Sequence, residues 1–92
     1  MPKLFSIGRY VIFFWSNEDN EPIHVHVSVK RASSDSMKVW LSEDGGCVIA
    51  KNKEIVHRSH LNEVMSIISN NHDDICDSWK KFFDTEEIKF YC

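Results

Sequence analysis

The sequence has no long hydrophobic run, and none of its apolar stretches approaches the roughly 20 residues needed to cross a bilayer. No charged segment followed by an apolar one opens the chain, so a secretory leader is not expected. Cysteine is scarce and odd in number, and Cys47, Cys76 and Cys92 include no short-range pair, which argues against a disulfide framework. Together these absences predict a reduced, cytoplasmic protein with no membrane partner.

Several chemical signatures are also missing. The chain has no glycine-rich phosphate loop, no nucleophile elbow, no H-E-x-x-H motif and no paired carboxylates at a recognisable spacing. No cofactor is expected, and the sequence assigns no enzyme class. The formal net charge of -3 argues against broad nucleic-acid affinity, because proteins that bind phosphate backbones usually carry a positive stripe.

The composition that remains is that of an ordinary globular protein. Its 92 residues are 42% hydrophobic and 27% charged, which predicts one small domain over residues 1–92. Six Phe, three Trp and two Tyr supply much of the surface available for burial. A domain of this size is only moderately stable, so a homodimer or a bound partner is a plausible supplement.

Four segments in the first half of the chain have the pattern of β-strands. Alternating or β-branched side chains occupy residues 9–16, 23–30, 37–42 and 47–51, and polar or glycine-containing turns separate them. The first strand is expected to extend back towards Phe5, with an interruption at Gly8. Because the connections are short, the pattern predicts a four-stranded antiparallel meander over about residues 5–51.

The second half of the chain has the period of an amphipathic helix. Apolar residues recur at 3/4 spacing between Leu61 and Phe83, which favours one long, bent helix over about residues 59–84, with Ser59 as N-cap. Two helices broken near Asn71, with Asp73 as a second N-cap, are the alternative. The tail 85–92 alternates like a short strand that docks on an edge. The predicted fold class is therefore α+β.

A single helix of this length has a consequence for binding. It would run about 36 Å at 1.5 Å per residue, whereas strands of five or six residues span about 17–20 Å. Its end must then overhang the sheet or fold back. An overhang would offer Trp79, Phe82 and Phe83 as an apolar surface for a second subunit or another protein.

The most informative segment contains two histidines in a strict alternation. Ile23, Val25, Val27 and Val29 share one face of the predicted strand, and the imidazoles of residues 24 and 26 share the other. We expect this second face to point away from the interior. The two rings are candidates for proton transfer, for anion binding or for a metal site, and the alternative is that they only hydrogen-bond to neighbouring strands.

A metal site is not expected at this pair, because it needs a further ligand and no residue stands at a spacing that dictates convergence. Trp40 falls on the same face as the histidines and is a candidate for stacking, unless the helix or tail packs over it. A phosphate-binding rim is possible if cations converge, although such side chains are often simply solvated. Its candidates are Lys30, Lys51, Lys53 and Arg58. The start of the helix at 57–60 is a further anion candidate.

Five motifs together form a pattern that points to one family. An aromatic strand after Met1-Pro2 is followed by PIHVHV at 22–27, KVWL at 38–41, AKNK at 50–53 and WKKFF at 79–83. Over about residues 3–83 the chain resembles the DUF4160 family, a domain of unknown function. That family commonly has an aromatic or other apolar residue between its two histidines, and Val25 occupies this position.

The resemblance implies a compact bacterial protein that is often encoded beside a second small protein, as in toxin-antitoxin pairs. It supplies no established reaction. The positions that it marks for testing are His24, His26, Trp40, Asn52 and Trp79.

Two functions of different classes follow. The first is an interaction module of a toxin-antitoxin-like or defence-related gene pair, which acts through protein-protein contacts. The second is a small metal-independent RNase, with His24 and His26 as general acid and base and with Lys51, Lys53 or Arg58 stabilising the phosphorane. The first is preferred because the net charge is unfavourable for RNA and the catalytic pair lacks a third fixed member.

Overall fold

The computed structural model describes residues 3–15 and 20–92, and it has an α+β architecture. Five strands form one antiparallel sheet in the order β1-β2-β3-β4-β5, and two helices follow. The strands are β1 Lys3–Ile7, β2 Tyr10–Phe13, β3 His24–Val29, β4 Met37–Leu41 and β5 Cys47–Lys51; the helices are α1 Arg58–Asn70 and α2 His72–Phe82. The antiparallel meander is confirmed, whereas the prediction of four strands and one long helix is wrong in its details.

The additional strand arises at Gly8, which reverses the chain rather than merely interrupting a strand. Ile7 pairs with Tyr10 across a two-residue loop, and Gly8 has a φ of +56°, in the left-handed region that side-chain-bearing residues rarely adopt. A glycine at the first position of such a loop suits a type II′ hairpin turn. Residues 3–7 therefore pair with β2 as a separate edge strand. The predicted turn after this hairpin falls partly on residues 16–19, which lie outside the described part of the chain.

The helical region divides at Asn71, as in the alternative prediction. The side-chain amide of Asn71 donates to the carbonyl of Ile67 at 2.8 Å, and its main-chain N–H is shared between the carbonyls of Ile67 and Ile68 at 3.1 and 3.2 Å, so the bonding is irregular at this residue. Both predicted N-caps are wrong. Asn71 rather than Asp73 precedes α2, and His57 rather than Ser59 caps α1, because its Nδ1 accepts the Ser59 N–H.

Apolar residues of α2 belong to the core: Ile75 and Trp79 are buried, and Phe83 packs against them. Residues from both helices pack on one face of the sheet, which we call the helix face. Register pairs such as Ile12 with Val27 and Val25 with Val39 form the floor of this core. Its buried members are Tyr10, Ile12, Phe14, Ile23, Val25, Val27, Met37, Val39, Leu41, Val56, Val64, Ile68, Ile75 and Trp79.

The tail 85–92 docks on the sheet without forming the short strand predicted for it. The Ile23 N–H donates to the Lys89 carbonyl and the Glu43 N–H donates to the Cys92 carbonyl, both at 2.8 Å. These contacts lie at the end of the sheet where β3 begins and β4 ends. Tyr91 then stacks on Trp40, with ring centroids 4.8 Å apart and planes 7° apart. Within the described residues, no helix is both long and apolar enough to cross a membrane.

Candidate functional site

The two histidines lie in β3, on the face of the sheet opposite the helices, which we call the histidine face. The register places His24 opposite Trp40, and His26 opposite Phe13 on one side and Lys38 on the other. The two imidazole rings have centroids 5.0 Å apart and are nearly perpendicular. The alternation of the sequence thus correctly places both rings on one face, with Trp40 as a neighbour.

The expectation that these rings point away from the interior is wrong. His24 is 0% exposed and His26 is 5% exposed. Aromatic side chains surround them. The ring centroids of Phe13 and Trp15 lie 5.4 and 6.2 Å from the ring centroid of His26. Those of Trp40 and Trp79 lie 5.4 and 5.6 Å from the ring centroid of His24. We call these four residues the aromatic box. Burial occurs because the neighbouring strands and α2 contribute large rings around one short strand.

Hydrogen bonds fix the orientation of both imidazoles. Nδ1 of His24 lies 2.8 Å from the carbonyl oxygen of Pro22, and because a carbonyl only accepts, this nitrogen carries a proton. Nδ1 of His26 lies 3.1 Å from the hydroxyl of Ser36. A neutral His24 therefore keeps its lone pair on Nε2. The pair forms a small polar centre within the aromatic box, with little surface exposed to solvent.

Lys38 is the cation nearest to this centre in the strand register, and it is not among the predicted site residues. Its Nζ donates to Glu21 at 2.6 Å and lies 4.3 Å from the centroid of the Trp40 ring. A paired and stacked ammonium group contributes to the wall of the box, where it supports Trp40 through a cation–π contact. The alternation of β4 places Lys38 on the same face as Trp40. Glu21 lies in the loop before β3, and only the tertiary fold brings it to Lys38.

The predicted phosphate rim does not surround the histidines. Lys51 lies opposite Lys38 in the register, whereas Lys30 follows the far end of β3 and Arg58 begins α1. Lys53 is exposed in the turn that leads to α1. Of the five cavities described for residues 3–15 and 20–92, none is lined by either histidine together with any of these cations.

Asn52 organises the turn between β5 and α1. Its side-chain oxygen accepts from the N–H groups of Ile55 and Val56 at 3.0 and 3.3 Å, and its amide donates to the Val56 carbonyl at 3.1 Å. These bonds satisfy main-chain groups in a turn that also contains Glu54 at a φ of +61°. The contacts give this predicted binding residue a structural role, and its role in binding stays a prediction.

The predicted apolar surface at the end of the helix is mostly interior. Trp79 is buried, and its ring centroid lies 5.0 Å from that of Phe14 and 4.3 Å from that of Phe83. Phe83 itself is half-buried. Phe82 alone of the three predicted residues is exposed, at 37%. The reason is that Ile75 and Trp79 of α2 belong to the hydrophobic core and Phe83 packs against it. This cluster therefore supplies packing first and leaves one ring available for contacts.

The structure brings together a different apolar surface that sequence reasoning missed. Val48 lies opposite Trp40 across β4 and β5, and Tyr91 stacks on the same indole. Val48 is 45% exposed and Tyr91 is 63% exposed. We call Trp40, Val48 and Tyr91 the apolar ridge. The sequence predicts no face for Val48, and only the tertiary fold brings Tyr91 to Trp40.

The cysteines differ in environment, and this leads to a chemical prediction. Burial raises the pKa of the Cys47 and Cys76 thiols, and the carboxylate of Asp73 adds to the rise at Cys76. Because the thiolate is the reactive form, we expect iodoacetamide at pH 8 to alkylate these two at least about tenfold more slowly than exposed Cys92. Mass spectrometry of peptides from a time course measures the three rates. Equal rates under native conditions would contradict the expectation, and equal rates in urea provide the control.

In the described residues, no group of three or more His, Cys, Asp or Glu side chains is placed to hold a metal ion.

Comparison with known proteins identifies the family. No curated protein and no solved structure matches the chain. The family model for DUF4160, a domain of unknown function, matches residues 10–80. Since that match spans more than half of the sequence, the chain belongs to the DUF4160 family.

Proposed function

We propose that this protein is a non-enzymatic binding module that engages a second small protein, encoded nearby, in a toxin-antitoxin-like or defence-related pair. The observation that supports this proposal is the apolar ridge beside the edge strand β5. Exposed apolar side chains grouped at a strand edge are typical of surfaces that bind other proteins. The gene-pair setting comes from the family resemblance and forms part of the proposal.

The edge strand provides main-chain groups as well as side chains. β5 is the last strand in the sheet order, so its outer side presents N–H and C=O groups that a further strand can pair with. Cys47 and Ile49 pack towards the core, whereas Val48 is exposed on the histidine face. An added strand would continue the sheet and cover Val48.

The charges around β5 indicate the chemistry of the partner. Lys51 and Lys53 are exposed at the end of the strand, and the ridge itself is apolar. We therefore propose as occupant an extended segment of the partner that alternates apolar residues with solvent-facing ones and carries a carboxylate near the lysines. Main-chain pairing would supply affinity, and the apolar and acidic positions would supply specificity.

Placing a charge in the ridge should weaken this complex. We expect Val48→Lys to raise the dissociation constant at least about tenfold, because an ammonium would replace a methyl-rich contact that is desolvated on binding. Isothermal titration calorimetry with the purified product of the neighbouring gene measures the change. Ser66→Lys in α1 is the matched control, since it adds the same charge at an exposed residue outside the apolar ridge.

The outcome separates this proposal from its competitors. Loss of binding in Val48→Lys, with retention in Ser66→Lys, supports it, and equal affinities for both variants contradict it. If the chain alone sediments as a dimer that only Val48→Lys dissociates, the ridge serves self-association instead.

The alternative function is the small metal-independent RNase. It is supported by the two imidazoles with ring centroids 5.0 Å apart, and their burial in the aromatic box weighs against it. Incubation of the purified chain with single-stranded RNA in the presence of a chelator tests it. RNA cleavage that disappears in a folded His26→Gln variant would replace the binding module by the nuclease.

A further inference from the structure

A second polar cluster lies away from the histidine face, between the β1–β2 turn and the start of α1. A cavity of about 190 Å³ opens there, with Arg9, Tyr10, His60 and Glu63 as its polar lining residues. Three elements contribute to it, because Arg9 lies in the hairpin turn, Tyr10 begins β2, and the other two occupy the first turns of α1. Neither the binding module nor the histidine pair uses this cluster.

Tyr10 and His60 form the fixed floor of the cavity. The phenol oxygen lies 2.6 Å from Nδ1 of the imidazole, and the two rings meet edge to face with centroids 5.6 Å apart. Tyr10 is buried, which holds its hydroxyl in place. When the phenol O–H donates to Nδ1, the neutral imidazole carries its own proton on Nε2. In that tautomer His60 presents an N–H donor.

Cations concentrate at this end of a molecule whose formal net charge is -3. The carbonyl of Arg9 accepts the N–H of Lys30 at 2.7 Å, which brings the chain at 30–31, with its Lys-Arg pair, next to the hairpin turn. Arg9, Lys30 and Arg31 are all exposed. Arg9 lines the same cavity as His60, and a guanidinium suits a tetrahedral oxyanion because it presents paired donors to two oxygens at once.

We infer that this cavity binds a phosphate group. Arg9 pairs with two phosphate oxygens, His60 donates to a third, and Tyr10 holds the imidazole in the donating tautomer. The carboxylate of Glu63 at the rim opposes the bound anion and limits its affinity. Inorganic phosphate and the terminal phosphate of a nucleotide share this chemistry, and the two are separated by the arms of the test below.

NMR titration of the full chain tests the inference. Inorganic phosphate in one arm, and a nucleoside 5′-monophosphate in the other, are added at constant ionic strength while the His60 ring and Tyr10 amide signals are followed. We expect saturable shifts, and a dissociation constant at least about tenfold higher for Arg9→Gln and for His60→Gln. A lower constant with the nucleotide than with inorganic phosphate indicates that a nucleotide is the source.

Two further variants, one that removes a negative charge and one that removes a positive charge, make the test specific. Glu63→Gln is expected to tighten phosphate binding severalfold, because it removes the opposing charge while keeping the side-chain shape. Lys80→Gln on α2 removes one positive charge as Arg9→Gln does, but from a residue that does not line this cavity, and should leave the constant unchanged. Linear, unsaturated shifts, or equal weakening by Lys80→Gln and Arg9→Gln, would overturn the inference. Tyr10→Phe, which keeps the buried ring, is the second variant if His60→Gln fails to fold.

Discussion

Truncation of Trp79 to alanine is expected to lower the free energy of unfolding by about 3–5 kcal/mol, the range for loss of a large buried aromatic side chain. Trp79 is 3% exposed and connects three parts of the structure. Its indole lies 5.0 Å from Phe14 in the core, 4.3 Å from Phe83 at the end of α2, and 5.6 Å from the ring of His24. Alanine would leave a cavity where these surfaces meet.

Urea denaturation followed by far-UV circular dichroism measures this change. Phe82→Ala is the matched control, because Phe82 lies in the same turn of α2 but is 37% exposed. We expect this variant to lose less than about 1.5 kcal/mol of unfolding free energy. Equal losses for the two variants would show that Trp79 does not anchor the core. If Trp79→Ala does not fold, Trp79→Leu should give an intermediate loss, since it refills part of the space.

Replacement of His24 by alanine should also be costly, at about 2–4 kcal/mol, because it removes a buried ring together with a satisfied hydrogen bond. The Pro22 carbonyl would lose its donor, and Trp40 and Trp79 would lose the ring they contact. Chemical denaturation provides the measurement. His57→Asn is the control, since residue 57 is exposed and asparagine retains an N-cap acceptor, so that less than about 1 kcal/mol should be lost.

This second prediction also bears on the catalytic hypothesis. A histidine kept only for chemistry usually tolerates truncation without loss of stability, whereas one that fills the aromatic box does not. A His24→Ala protein as stable as the unsubstituted chain would contradict the structural role described for the box. It would also make the nuclease alternative more attractive.

Local patterns in the sequence were sufficient to predict the main features of the sheet. The period of two in residues 23–30 separates Val25 and Val27 from His24 and His26, and this division is present in the structure. The contact between His24 and Trp40 follows from the same alternation in β4. The DUF4160 match at residues 10–80 agrees with the family resemblance seen in the sequence motifs. Such features depend on residues that are close along the chain.

The burial of the histidine face could not be predicted from alternation. A strand with two imidazoles on one face normally turns that face to water, and here it is enclosed because Trp79 and the tail reach it from far along the chain. Asn71 shows a related limit. The spacing of apolar residues from Ile68 to Ile75 is the same for one helix and for two. The position of the break therefore cannot be read from this spacing, and the irregular hydrogen bonds of Asn71 become visible only in the structure.

The order of the strands has a consequence for how quickly the chain reaches this structure. Every adjacent pair in the sheet is also consecutive in sequence, so each hairpin closes a short loop at small entropic cost. Such low contact order is associated with fast folding, and the meander can assemble hairpin by hairpin. The pairing of Ile23 with Lys89 instead closes most of the chain, and Tyr91 reaches Trp40 through the same segment. We therefore expect the tail to dock on Trp40 late, after the sheet that supports it has formed.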